Sequence, residues 1–219
     1  MIQHLLQLIW NQRKQNAWLW AELLLVSVFL WFLVDYLYVM GRTYTAPLGF
    51  DIRHTYSIVI SSLSERSPDY IPKEKRERPD GVHLLTALDR IRTYPGVESA
   101  CLTDGGMPYY MGSRNLVWRI DTLQVPCRYA FVTPEFFDVF RIYDKDGKTA
   151  SLKRAIEDNN SIVISADVET MNPGLSLLGQ KAYRGNVTDE IEETIRGISV
   201  PIRRHEYTKA EPNVYRALR

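Results

Sequence analysis

The sequence predicts an α+β extracytoplasmic domain carried on a single N-terminal transmembrane helix. Three observations predict it. An apolar run, AWLWAELLLVSVFLWFLV, occupies residues 17–34 and is broken only by Glu22 and Ser27. Beyond residue 40 the chain turns to ordinary globular usage. There, period-two stretches and helical stripes alternate irregularly, as in an α+β fold and not as in a regular βαβ repeat.

Composition narrows the field first. The chain has 219 residues, with 27 basic and 26 acidic side chains and a net charge of +1. Hydrophobic residues make up 45% and charged residues 24%, which excludes disordered, collagen-like and disulfide-dense classes. The balanced charge offers no basic face, so no nucleic-acid partner is expected. A mean hydropathy of -0.23 argues against several spans in this chain.

Residues 1–16 come first. Ile2, Leu5, Leu6 and Ile9 recur at helical spacing, followed by Trp10, Arg13 and Lys14. This pattern predicts an amphipathic helix on the inner membrane face, with a frayed terminus as the alternative. Residues 17–40 follow as the span. About 24 residues at 1.5 Å each give ~36 Å, enough for a ~30 Å hydrocarbon core. Trp18 and Trp20 mark one interface, and Trp31, Tyr36 and Tyr38 the other. Arg13 and Lys14 put the N-terminus in the cytoplasm, against a lone opposing Arg42. A cleaved signal peptide is the alternative. Its apolar stretch would be too long, its end is filled by bulky rings, and only Thr43, Thr45 and Ala46 hint at a cleavage site.

Glu22 is the odd residue of the span. A carboxylate in hydrocarbon is costly unless paired, neutralised or near the edge. It either snorkels to the cytoplasmic surface or faces partner helices in a bundle, and the bundle contact is the expectation carried forward.

Residues 41–219 are the expected periplasmic core domain, incomplete at its C-terminus. Phe50, Ile52, Tyr56, Ile58 and Ile60 alternate with Asp51, Arg53, Thr55, Ser57 and Ser61, which predicts a half-buried strand. Residues 64–80 form a proline-containing loop with the mixed run KEKRER, read as solvated surface. Asp80 is the expected N-cap of a helix whose stripe is Leu84, Leu85, Leu88 and Ile91. Strands are expected at 97–103, 116–120 and 125–132. Thr133 and Pro134 open a short helix whose Phe136, Phe137 and Phe140 pack onto the sheet. A helix at 151–157, a buried strand at 161–165 (SIVIS) and a last strand around Ile195–Ile202 complete the pattern.

Catalytic and metal chemistry finds no foothold. Gly147-Lys148-Thr149 ends like a phosphate-binding loop, but Ile142 stands where its first glycine belongs. Asp144, Asp146 and Gly147 suggest a calcium loop, but Ile142 and Lys153 stand where its first and last ligands belong. A turn is the better reading of DKDGK. His4, His54, His83 and His205 have no metal-ligand spacing, and no GxSxG is present. No cofactor and no enzymatic activity are expected. Cys101 and Cys127 are a candidate disulfide in an oxidising compartment, worth roughly 3–4 kcal/mol by chain entropy, with two buried thiols as the alternative. Asn186-Val187-Thr188 and Asn159-Asn160-Ser161 are glycosylation sequons by pattern alone.

Taken in order, certain segments form a familiar series. LLQLIWNQRKQNAW leads into the span. LGFDIRHTYSIVI, RIRTYPGVESA, YAFVTPEFFDVF, SIVISADVE, LLGQKAY and TIRGISVPIRR follow it. This series resembles the first half of a MacB/FtsX-type ABC-transporter permease, particularly the stand-alone permeases of Bacteroidetes-like bacteria. The resemblance implies a four-span permease with a periplasmic core domain between its first two spans. It implies a bacterial inner-membrane location, with the N-terminus cytoplasmic and the bulk periplasmic. It implies a separate ABC ATPase subunit, two permease copies, and in many members a periplasmic adaptor and an outer-membrane channel. Ending at Arg219, this chain carries only the first of those spans, so a permease subunit or its N-terminal portion is the leading expectation. The alternative is a single-pass, membrane-anchored periplasmic binding or sensor module without a transport role. A membrane-anchored hydrolase is the third, without a nameable nucleophile–base pair.

Overall fold

The structure is a computed structural model, and it describes residues 2–11, 14, 17–61, 63–72, 75, 80–110, 112, 114–184 and 190–218. Arg13, most of the KEKRER run and the Asn186 sequon lie outside the described residues. The chain divides into two units, Met1–Ala46 and Pro47–Arg219.

The first unit holds two helices, α1 (Ile2–Asn11) and α2 (Ala17–Thr45). The helical spacing at the N-terminus therefore does produce a helix. α2 has 29 residues and runs beyond the expected end at residue 40. At 1.5 Å per residue it is about 43 Å long. It is apolar all round and none of its residues is buried, so it is long and apolar enough to cross a membrane. Ser27 does not leave a bare hydroxyl on this surface, because its Oγ donates to the Leu23 carbonyl at 2.7 Å.

The second unit is a mixed α/β domain. Its elements are α3 (Asp80–Arg92), β1 (Thr103–Asp104), β2 (Arg114–Ile120), β3 (Leu123–Val132), α4 (Phe136–Val139), α5 (Ala150–Glu157), β4 (Ser161–Ser165), α6 (Asp167–Met171), β5 (Lys181–Arg184), β6 (Ile191–Ser199) and β7 (Asn213–Ala217). Pairing runs β3–β2–β5–β6–β4–β7, and β7 pairs with β3 again. Six strands thus form a closed circuit. The β4–β6 and β3–β7 pairs are parallel and the others antiparallel. β2 and β3 are a hairpin turned at Asp121-Thr122, with Asp121 in the left-handed region at φ 53°.

Closure explains the two cores. One cluster takes Trp118 and Ile120 from β2, Val125 and Cys127 from β3, Ile162 and Ile164 from β4, Ala182 from β5, Ile195 from β6 and Val214 from β7. Every strand of the circuit contributes, so this cluster is its interior, filled by side chains as in any narrow barrel. The other cluster lies on the outer face. There Ala130, Val132, Val163 and Tyr215 meet Phe136, Phe137 and Phe140 near α4 and Leu152, Ala155 and Ile156 of α5. Period two sends alternate residues of each strand to these two cores, so SIVIS is buried at all five positions.

Several expectations need correction. The alternating segment around Phe50–Ser61 is not a strand. Its start is bent into a turn: the Asp51 carboxylate accepts the Arg53 N–H at 2.8 Å, Thr55 N–H donates to the Ile52 carbonyl, and His54 sits at φ 62°. Local turn chemistry overrides alternation there. Tyr56 and Val59 are left 85% and 88% exposed. The strand expected over 97–103 shrinks to Thr103–Asp104, because Leu102 is held instead by Thr133, through Leu102 N–H to Thr133 Oγ1 and Thr133 N–H to the Leu102 carbonyl. The last expected strand is displaced: β6 ends at Ser199, and Ile202 lies in the loop beyond it. Only Leu88 of the α3 stripe is buried, while Leu84 and Leu85 are exposed; the side chain of Asp80 lies outside the description.

Candidate functional site

Chain entry into the domain is tightly held. Gly49 lies at φ 83°, and a Cβ there would stand 2.1 Å from the Pro201 carbonyl oxygen. Only glycine fits such an approach. Arg203 N–H donates to the Leu48 carbonyl at 3.0 Å and Asp51 N–H to the Phe140 carbonyl at 2.9 Å. The Asp51 carboxylate, gripped by Arg53 and Arg141, is held well below the usual carboxylate range.

The sequence-derived site residues are scattered. Glu22 is exposed on α2, and among the described residues no cation stands within ion-pair distance of it. Cys101 and Cys127 are both free thiols. Cys127 is in the interior cluster, whereas Cys101 packs against the outer one. The sheet separates them, so the candidate disulfide is not formed. Burial pushes each thiol up to about 12, with the Glu135 carboxylate adding to the effect at Cys101. The DKDGK segment is a turn built on Asp144, whose Oδ1 accepts the Asp146 and Lys148 N–H groups at 2.9 and 2.8 Å and whose Oδ2 accepts the Ser151 hydroxyl. His54 and His83 are exposed, and His205 Nδ1 accepts the Tyr207 N–H at 3.2 Å. Among the described residues no group of three or more His, Cys, Asp or Glu could hold a metal ion.

Sequence reasoning missed the most unusual polar arrangement. Glu193 stands opposite Ala182 in the β5–β6 pair, and Ala182 belongs to the interior cluster. Its carboxylate therefore points into the barrel, where it is 1% exposed. Arg216 of β7 pairs with Oε1, and Arg184 Nε of β5 lies 3.5 Å from Oε2. The Arg216 guanidinium also covers the Phe131 ring at 5.3 Å. Burial pushes the Glu193 carboxyl upward, against the pull of the two arginines. A buried ion triad is weak evidence for stability, but removing one member strands the others. It ties three strands of the circuit together at one end. A single charged residue in the alternation EIEETIRGIS, on the apolar parity of Ile191 and Ile195, was the only available signal.

Apolar surface is the other notable feature. Tyr56, Ile58, Val59, Ile60 and Leu63 are 50–88% exposed.

No known family model matches the chain, and no curated protein matches it. Solved structures do. Parts of this chain are similar to domains of permease and transporter proteins. One is a domain of a protein described as a permease from Porphyromonas gingivalis, at 20% identity and TM-score 0.43, covering 58% of this chain and 49% of that one. Another is the periplasmic region of MacB from Actinobacillus actinomycetemcomitans, at 10% identity and TM-score 0.41, covering 61% and 54%. A third is the extracellular domain of the ABC-type transporter YknZ from Gram-positive bacteria, at 13% identity and TM-score 0.41, covering 59% of each. The match spans only about half to three fifths of the length of those structures.

Proposed function

We propose that this chain is a permease subunit of an ABC-type exporter, or its N-terminal portion. It would couple ATP hydrolysis by a separate cytoplasmic subunit to conformational change in the periplasm. The observation that carries the reading is the ordered motif series around an apolar helix, whose TPEFF, SIVIS and LLGQ segments are used in one packed domain. In that domain Phe136 and Phe137 of TPEFF are fully buried in the outer core, SIVIS is β4 in the closed circuit, and Leu177 of LLGQ plugs the interior. Residues 1–16 would lie on the cytoplasmic face, 17–40 would span the inner membrane, and 41–219 would stand in the periplasm. Two permease copies, an adaptor and an outer-membrane channel would complete the assembly.

The test is cross-linking of the full chain in its native membrane, followed by identification of what co-purifies. An ABC ATPase recovered with it supports the proposal, and its absence under conditions that retain other membrane complexes counts against it. Fusing alkaline phosphatase after residue 45 tests orientation, and an inactive fusion would reverse it. The second reading, an anchored binding or sensor module without transport, draws on the two apolar clusters packed within Pro47–Arg219. It expects normal folding and no ATPase partner.

A further inference from the structure

One region carries more positive charge than its neighbours answer. Arg128 lies on β3 with the parity of Ala130, so it faces outward, away from Cys127 and the interior. Two loops close over this part of β3. The first passes Gly106, where an added Cβ would stand 2.5 Å from the Ala130 Cβ. The second returns from β6 to β7, and its Pro212 carbonyl accepts the Arg128 N–H at 2.8 Å. Tyr109 N–H joins the loops by donating to the Arg204 carbonyl at 3.1 Å. Tyr109 itself is held at φ 60°, a conformation that a non-glycine residue keeps only when its surroundings enforce it.

At this junction the acids and bases do not match. The Nε atoms of Arg128 and Arg204 are both buried without a hydrogen-bond partner. Arg204 reaches Glu211 only at 3.7 Å, and Glu211 is half exposed. Among the described residues no carboxylate stands within ion-pair distance of Arg128. The nearby Arg203 is already engaged, its Nε donating to the Thr208 carbonyl at 2.7 Å and its Nη2 to the Glu206 carbonyl. The Glu206 carboxylate accepts the Tyr109 hydroxyl. Burial, and after it the Arg204 charge, push the Arg128 guanidinium below its ordinary range, against the weaker opposing pull of Tyr215 and of the Glu211 carboxylate that the two arginines share. Two guanidiniums that lose water together repel each other unless an anion comes between them.

We propose that Arg128 and Arg204 form a binding site for a small oxyanion, a phosphate or a carboxylate, at the junction of the two loops. A planar guanidinium presents paired N–H donors that match two oxygens of such a group, and two of them facing one site bind it in a fixed orientation. This site is independent of the permease reading. An exporter subunit or an anchored sensor would equally carry it.

The experiment uses the full chain in detergent micelles at fixed ionic strength set with chloride. Inorganic phosphate and acetate are titrated separately by calorimetry, and thermal unfolding is followed with each. Binding of at least one, above the chloride background, is expected. The anion that binds more tightly identifies the ligand class. Arg128→Gln and Arg204→Gln should each weaken binding about tenfold or more, the loss expected for one charge-assisted pair of hydrogen bonds. Arg119→Gln, at a half-exposed arginine of β2 already paired with Glu190, should leave binding unchanged. Should Arg128→Gln fail to fold, Arg128→Lys keeps the charge but not the fork and should still weaken binding. Equal response to phosphate, acetate and chloride overturns the proposal, as does undiminished binding in the Arg204→Gln protein.

Discussion

Gly197 offers the sharpest test of the packing. It lies in β6 just past the register shift opposite Ile162 and Val163, where α5 crosses the sheet. A Cβ there would stand 2.8 Å from Val163 Cγ2, 3.0 Å from Ala155 Cβ and 3.3 Å from Leu152 Cδ2. The closest contact falls 0.6 Å short of the 3.4 Å lower limit of ordinary contact (3.4 − 2.8). Val163 and Leu152 are fully buried, so neither can swing into solvent. Overpacking of this kind costs roughly 1–3 kcal/mol. Against it, replacing glycine by alanine restricts the unfolded chain, worth about 0.4–1 kcal/mol. Gly197→Ala should therefore destabilise by about 1–2 kcal/mol net. The assay is urea unfolding of the 47–219 segment, followed by fluorescence of Trp118, the only tryptophan in that segment. With a slope of about 2 kcal/mol/M the midpoint should drop by roughly 0.5–1 M. Val163→Ala frees the nearest atom. The double variant should be more stable than the two single losses imply, by about 0.5–3 kcal/mol of coupling. A Gly197→Ala protein as stable as the parent, or strictly additive losses, would refute the reasoning.

Further outcomes follow from the buried charges, the thiols and the anchor. Burial raises the Glu193 carboxyl, so between the unfolded value of about 4.3 and the folded one the native state holds more protons, and stability should fall as pH rises through that window. Glu193→Gln should flatten that part of the curve, and urea midpoints across pH will check it; an unaltered slope would exclude Glu193 as the source. Cys101 and Cys127 should resist alkylation at neutral pH, react fully in denaturant, and show no reductant-dependent gel mobility; a mobility shift would restore the disulfide. Glu22→Leu should leave membrane insertion intact or improve it while weakening assembly with partner helices, measured by cross-linking yield, and normal assembly would mean that Glu22 only snorkels.

How much of this was legible depended on the range of the interaction. SIVIS was read correctly as a buried strand, because five consecutive residues suited to a core leave few alternatives. The phenylalanines after Thr133-Pro134 were read correctly as a packed short helix for the same reason. The DKDGK turn follows from Asp144, whose carboxylate binds backbone groups two and four residues away. By contrast, β5 and β7 have four and five residues and owe their strand state to neighbours far along the chain. β7 exists because β3 and β4 leave a place between them, with Arg128 opposite Asn213 and Ile164 opposite Val214. The Phe50–Ser61 segment shows the converse: its alternation suits a strand, but no described strand pairs with it.

The sequence by itself determined what rests on composition and short-range pattern: an apolar helix long enough for a bilayer, an α+β domain after it, and the separation of solvated loops from core segments. Hydrophobic burial and local turn chemistry are encoded residue by residue, so they can be read there. Only the tertiary structure decided that the sheet closes on itself, that Glu193 points inward between Arg184 and Arg216, that Cys101 and Cys127 lie on opposite faces, and that the loops carrying Tyr109 and Arg204 come together over the part of β3 that holds Arg128. Each of these depends on register between strands distant in sequence. A shift of one residue in any pairing would send the same side chain to the other face, and nothing local records which register wins.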